Sequence, residues 1–275
     1  MQILGVVGPS NCGKTTLVER LVSELAERGQ IATIKHCTHE PDLDTEGKDT
    51  ARHRASGADA TFGLTDDEGW FATGSERTLE ETLDDLAPAY DYAIVEGYSD
   101  AHIPQVALGG REAGGDVLCE AERADAVDVE ALIEMLEATD PHETLESLVA
   151  EVERAETAER AGAIATFTGR VRARDGPDDE PTEHLEFERY DGLAEERMAS
   201  LRADLESRED VQRVALHHRT GVLEPGEHIV FVVVLAGHRT SAFRAVEDGI
   251  DRLKAEVPLF KKEVTVGEEF WRHER

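Results

Sequence analysis

Lys254, Lys261 and Lys262 fall within nine positions of the stretch HRTSAFRAVEDGIDRLKAEVPLFKKE, in a chain that has six lysines against 23 arginines. Surface solvation does not explain that choice, because either cation serves it. A lysine retained here is retained for chemistry. An ε-ammonium loses its proton readily when desolvated or set beside other cations and becomes a base or nucleophile, which a guanidinium does not. The plainer alternative is that these lysines close a helix and solvate an edge strand. A fourth lysine stands in Gly8-Pro9-Ser10-Asn11-Cys12-Gly13-Lys14-Thr15, which fits G-x-x-x-x-G-K-[ST] at every constrained position. In such a loop the backbone N–H groups converge on phosphate oxygens at a helix N-terminus, the lysine reaches the terminal phosphates and the hydroxyl can ligate magnesium. The candidate nucleotide-binding residues are therefore Gly8, Asn11, Cys12, Gly13, Lys14, Thr15 and Thr16.

The elements needed to position that loop are present in order. Gln2 to Val7 is a β-branched run leading into the glycines, and Leu17, Val18, Leu21, Val22 and Leu25 recur at helical spacing until Gly29. Short apolar runs at Gln30 to Lys35, Tyr92 to Val95, Gln105 to Leu108 and Asp116 to Cys119 alternate with helical stretches, which predicts an α/β first half on a parallel sheet. Glu96 follows the buried-type run 91–95, at the strand end where open α/β sheets gather ligand, so it is a candidate to orient magnesium or its water. The segment 35–49, KHCTHEPDLDTEGKD, reads as a loop over the nucleotide, with Asp44 or Asp49 near the metal. His36, Cys37 and His39 lack the second ligand pair of a structural zinc site, so an ordinary loop is the expected reading there.

Composition narrows the classes. A formal charge of −31 on 275 residues, with so little lysine, fits adaptation to concentrated salt, where the Debye length shrinks to about 3 Å at 1 M. Nucleic-acid binding is disfavoured, because its main term is cationic neutralisation of phosphates. Residues 1–140 carry 30 acidic and 10 basic side chains, whereas 238–275 carry eight of each, so the tail offers local positive charge. Cys12, Cys37 and Cys119 form no CxxC, which points to reduced thiols in a cytoplasmic protein. No apolar run is long enough for a membrane span.

The break at Thr139-Asp140-Pro141 divides the chain into expected domains 1–140 and 141–275. The second half reads as α+β. Strands at 161–168, 184–190, 211–219 and 228–235 surround a helix marked by Leu193, Met198, Leu201 and Leu205, and the Pro225-Gly226 turn implies antiparallel pairing. Thr240 or Ser241 is expected to cap a last helix whose apolar positions are Phe243, Val246, Ile250, Leu253 and Val257, ended by Pro258. Beyond it the period becomes two, so Lys262 shares a face with Phe260, Val264 and Val266 while Lys261 points the other way. Spacing alone leaves open which of the two joins Lys254. His217 and His218, on a strand, read as structural.

The phosphate-binding loop, the IKH strand end, DLDTEGKDT and VEGY together resemble the molybdopterin-guanine dinucleotide biosynthesis adapter, a GTP-binding P-loop protein, over roughly 1–140. That resemblance implies GTP and Mg2+, weak hydrolysis at most, and a role beside the molybdenum cofactor guanylyltransferase. No N-K-x-D signature is present, so the motif itself does not choose GTP over ATP. TFTGRVR at 166–172, GHRTSAF at 237–243 and LKAEVPLFKKE at 253–263 resemble, as an ordered set, the catalytic large subunit of molybdopterin synthase. This second resemblance implies sulfur transfer from a small β-grasp sulfur-carrier protein with a C-terminal Gly-Gly thiocarboxylate to the pterin cyclic pyranopterin monophosphate. By position it assigns Lys254 and Lys261 as catalytic, and Phe167, Arg172, His238 and Arg239 to the substrate pocket. It further implies a homodimer in which an arginine matching Arg275 crosses between copies. The rival readings are a nucleotide-gated adapter that docks the carrier without catalysis, and a P-loop kinase acting on a small molecule.

Overall fold

A computed structural model describes residues 1–38, 49–67, 69–174, 176, 179–190, 192–265 and, by backbone, 269–273. His39, Asp44, Val266 and Arg275 lie outside the described residues. The chain divides into two compact units, Met1–His142 and Glu143–Arg275.

The first unit runs β1 (Gln2–Val7), α1 (Lys14–Leu25), β2 (Ile31–Lys35), α2 (Asp49–Ala55), β3 (Ala60–Leu64), β4 (Trp70–Gly74), α3 (Leu79–Leu86), β5 (Tyr92–Glu96), β6 (Gln105–Leu108), β7 (Val117–Ala121) and α4 (Val129–Glu137). Five strands form one sheet in the order β2-β5-β1-β6-β7, every pair parallel. Its central strand β1 is buried on both faces, as a near-continuous apolar run requires. Leu4 and Val6 pack with Leu17, Leu21 and Leu25 of α1 and Leu132, Ile133 and Leu136 of α4. Ile3 packs with Ala93, Val95 and Leu83 of α3 on the other face. A reciprocal Thr78–Glu81 capping box fixes the start of α3.

Two features differ from the sequence expectation. Strands β3 and β4 form a separate antiparallel hairpin, which the sequence hides because Phe62, Leu64 and Trp70 are exposed and no buried face imposes a period of two. His142, which falls just past the expected break at Pro141, is tied to the first unit. Its backbone exchanges hydrogen bonds with Met1, and its ring lies 2.8 Å from Asp84 Oδ1.

The second unit runs α5 (Leu145–Glu153), β8 (Ala163–Arg170), β9 (Thr182–Arg189), α6 (Leu193–Glu206), β10 (Val211–His218), β11 (Gly221–Leu223), β12 (His228–Ala236), α7 (Arg239–Glu256), β13 (Leu259–Thr265) and β14 (Glu269–His273). Two antiparallel sheets result, β10-β12-β8 and β11-β9-β13-β14. Alternation along β12 sorts its side chains: Val230, Val232, Val234 and Ala236 meet α6 and α7, while Phe231, Val233 and Leu235 meet α5. In α7 the buried stripe is Ala242, Ala245, Val246, Gly249, Ile250 and Leu253. Phe243, expected in that stripe, is 65% exposed. Small residues carry the contact instead, and a Cβ on Gly249 would stand 3.0 Å from Val232 Cγ1. No described helix is long and apolar enough to cross a membrane.

Candidate functional site

In the first unit the phosphate-binding loop leaves the C-terminal end of β1, and Gly13 caps α1 with φ 97°. A side chain is excluded there twice over, by that left-handed backbone and by Ala124, whose Cβ would lie 2.9 Å from an added Cβ. Asn11 also has a positive φ, 67°, and the buried Cys12 closes the loop with Sγ 3.1 Å from the Pro9 carbonyl. Lys14 Nζ donates to the carbonyls of Gly8 at 2.8 Å and Pro9 at 2.7 Å, so its ammonium lies over the loop. Thr15 and Thr16 are exposed in the first turn of α1.

Parallel pairing of β1 with β5 brings Glu96 to this loop. Thr15 Oγ1 stands 3.3 Å from both Glu96 carboxylate oxygens, and Lys35 Nζ stands 3.2 Å from Oε1. Adjacent ligands of an octahedral magnesium ion, at 2.0–2.1 Å each, stand about 3 Å apart, so this donor pair fits that ion. Lys35 already supplies a positive charge at the same carboxylate. His36 stacks on Tyr98 with ring centroids 4.3 Å apart, Cys37 is exposed, and Asp49 pairs with Arg52 at 3.6 Å in α2.

The second unit holds a cavity of about 120 Å³ between its sheets and the last turn of α7. Phe167, Gly169 and Arg170 of β8 line it, with Arg172 just beyond; Thr182, Leu185 and Phe187 come from β9, His218 from β10, Ile229 and Val230 from β12, Ile250, Leu253 and Lys254 from α7, and Lys261 and Glu263 from β13. Pairing of β13 with β9 sets Lys261 opposite Phe187 and Glu263 opposite Leu185, which puts all four on one face. Lys262 faces away and pairs across the strands with Glu186 at 3.7 Å. The ambiguity between Lys261 and Lys262 is thus removed in geometry, with Lys261 sharing the cavity of Lys254, Phe167 and Arg172. Four cations against one carboxylate, in a chain of net charge −31, give the cavity a net positive lining, which suits an anion. Among the described residues no carboxylate pairs with Lys254, and Lys261 Nζ approaches Glu263 Oε2 only to 3.6 Å.

His238 and Arg239, expected in the same pocket, do not line this cavity. They start α7, whereas Lys254 lies in its last turn, which separates them by about 22 Å along the axis. The His238 side chain is 84% exposed, with Nδ1 3.1 Å from Asp210 Oδ2. Neither Thr240 nor Ser241 is the N-cap of α7; His238 holds that position. Asp210 accepts from the His238 N–H at 2.9 Å, and its carboxyl is held below the usual carboxylate range, first by the Ser241 hydroxyl and also by His238.

His218, read as structural from sequence, is a cavity residue. It is 4% exposed, Nδ1 lies 2.8 Å from the Arg219 carbonyl, and Phe187 meets the ring edge-on at 4.9 Å. Burial is the main cause pushing its pKa from 6.5 down to about 4, with His217, Arg189 and Lys254 adding to the depression against the Arg219 hydrogen bond. The unfolded chain therefore takes up a proton near pH 6.5 that the folded chain refuses until about pH 4. This contribution to stability is present above pH 6.5 and is lost as the pH falls toward 4, by roughly 3 kcal/mol in all. Urea unfolding between pH 7 and 4 is expected to show that loss, and His218→Gln is expected to flatten it; an unchanged slope in the variant would place the titration elsewhere.

A phosphate-binding loop on a parallel sheet, followed by an antiparallel α+β unit with a lysine- and arginine-lined cavity, defines a P-loop nucleotide-binding module joined to a second, α+β module. Residues 3–134 match the family described as molybdopterin guanine dinucleotide synthesis protein B (MobB), and residues 139–256 match the MoaE protein family. A probable molybdopterin synthase of Haloferax volcanii is 50% identical over 275 residues, covering all of both chains. The molybdopterin synthase catalytic subunit of Yersinia pestis is 43% identical over 111 residues, covering 40% of this chain and 72% of that protein. A crystal structure of Staphylococcus aureus molybdopterin synthase is 30% identical, with 48% of this chain and 92% of that chain covered and a TM-score of 0.42. The chain belongs to the molybdopterin synthase family of molybdenum cofactor biosynthesis, with a MobB domain ahead of its MoaE domain.

Proposed function

We propose that the MoaE domain, residues 141–275, transfers sulfur from the C-terminal thiocarboxylate of a small β-grasp carrier to cyclic pyranopterin monophosphate, giving molybdopterin. The observation that carries this reading is the convergence of Lys254 and Lys261 with Arg172 and Phe167 on one cavity. Arginines there hold the substrate phosphate and the carrier's terminal group by charge-assisted hydrogen bonds. Lys254 lines the cavity beside Arg170, Arg172 and Lys261, where its ammonium can carry a proton to or from the reacting groups. Lys261 is placed to stabilise the oxyanion of the tetrahedral acyl species formed as sulfur leaves the carrier. A Gly-Gly tail has no side chains to obstruct a narrow approach. Purified protein, thiocarboxylated carrier and cyclic pyranopterin monophosphate in high salt, without nucleotide, are expected to yield molybdopterin. No product with a competent carrier would overturn the synthase assignment in favour of a docking adapter.

His238 and Arg239 reach a substrate held by Lys254 only from another copy, given the length of α7, so the functional form we assign is a homodimer. The MobB domain, residues 1–140, binds GTP through Gly8, Asn11, Cys12, Gly13, Lys14, Thr15 and Thr16 and serves as an adapter for formation of the guanine dinucleotide cofactor beside its guanylyltransferase. Thr15 and Glu96 would hold magnesium, which supplies charge neutralisation between the phosphates. Lys14→Ala is expected to weaken binding of a fluorescent GTP analogue by about a hundredfold, because an ammonium–phosphate contact is lost. Glu96→Gln should remove most of the magnesium-dependent gain in affinity while leaving magnesium-free binding in place. Equal loss of both would mean that Glu96 supports the loop rather than the ion.

A further inference from the structure

We propose that His218 is a substrate-binding residue of the cavity, its Nε2 accepting a hydrogen bond from an N–H of the pterin ring. This rests on the synthase reading above and goes beyond it, to how the ring rather than the phosphate is recognised.

The tautomer follows from local geometry. A carbonyl oxygen only accepts, so the 2.8 Å contact to the Arg219 carbonyl puts the ring proton on Nδ1 and leaves Nε2 with its lone pair. Among the described residues no group is bonded to Nε2. The ring plane is fixed by Phe187 on its edge, and Arg219 is itself held by Glu227 at 3.3 Å. The histidine is therefore a rigid, neutral acceptor at the cavity wall.

A second buried acceptor faces the same space. Glu263 is 7% exposed; its Oε1 accepts from the Thr182 hydroxyl at 3.1 Å, and its Oε2 is buried with no hydrogen-bond partner. Lys261 Nζ, at 3.6 Å from Oε2, attracts it electrostatically but lies beyond hydrogen-bond length. Burying an acceptor without a donor costs free energy that an occupant can return.

The cavity thus makes two opposite demands. Its arginines and lysines only donate and are satisfied by an anion, whereas His218 and Glu263 can be satisfied only by a donor. Ionised phosphate oxygens, which only accept, meet the first demand alone. A ligand carrying both a phosphate and an aminopyrimidinone N–H edge meets both, which is the chemistry of a pterin monophosphate. His218 therefore contributes to selection of the ring.

Equilibrium binding of cyclic pyranopterin monophosphate to the full chain, with inorganic phosphate as competitor, tests this on wild type, His218→Leu and His218→Gln. Leucine removes the acceptor, and pterin affinity is expected to fall about tenfold or more while the phosphate inhibition constant changes less than about twofold. Glutamine can turn its amide oxygen to the same side and is expected to recover most of the loss. Wild-type pterin affinity in His218→Leu would overturn the inference, as would equal loss of pterin and phosphate in both variants, which marks collapse of the cavity. Failure of the wild type to bind the pterin at all would remove the synthase reading itself.

Discussion

Lys254→Ala and Lys261→Ala are each expected to lower the conversion of cyclic pyranopterin monophosphate to molybdopterin by at least about a hundredfold, while Lys262→Ala stays within about twofold of wild type. The three lysines are close in sequence and differ in geometry. Lys254 lies in the last turn of α7 and Lys261 on the inner face of β13, and both line the cavity. Lys262, one residue on, faces outward across from Glu186. Unfolding does not account for the expected losses, since neither cavity lysine belongs to the apolar core. A proton carrier and an oxyanion partner act on transition states, so kcat is expected to carry the effect, with KM changing less. A Lys254→Ala enzyme with near wild-type kcat would sink the catalytic role of that residue. Collapse of Lys262→Ala in place of Lys261→Ala would reverse the assignment on β13.

What the sequence reveals of this site depends on how local each constraint is. Gly8 to Thr15 is legible because loop geometry, glycine conformation and helix start all lie within one turn of chain. The pairing of Glu96 with Thr15 is less so, since it exists only once β5 lies beside β1. Parity along β13 separates Lys261 from Lys262 in sequence, yet choosing between them requires the packing of β9 and β13 against the end of α7. Glu263 shares the parity of Lys261 and was within reach of the same rule. His218 was not. Nothing in His217-His218 says which ring is buried, because Phe187 on β9 and the turn of the chain at Arg219 decide it. Phe243 misleads for a physical reason: helical spacing marks it as core, but α7 approaches β12 through alanine and glycine, and a phenylalanine has no room there.

Mixing inactive Lys254→Ala protein with inactive Arg239→Ala protein is expected to restore activity to about a quarter of wild type after subunit exchange. Arg239 opens α7 and Lys254 lies in its last turn, about 22 Å apart on a rigid rod, so one copy does not bring both to one small substrate. If each site takes Lys254 from one copy and Arg239 from the other, a mixed dimer holds one doubly altered site and one intact site. Random exchange makes about half of all dimers mixed, each with one working site of two, hence the quarter. The same logic extends to His238→Ala paired with Lys261→Ala. It fails for Lys254→Ala mixed with Lys261→Ala, because both residues line the same cavity of one copy. That pair leaves each site with one lesion and recovers nothing. Absence of recovery in the first mixture, with exchange verified by differently tagged chains, would show that Arg239 serves no site across the dimer. Recovery without any exchange would exclude shared sites altogether.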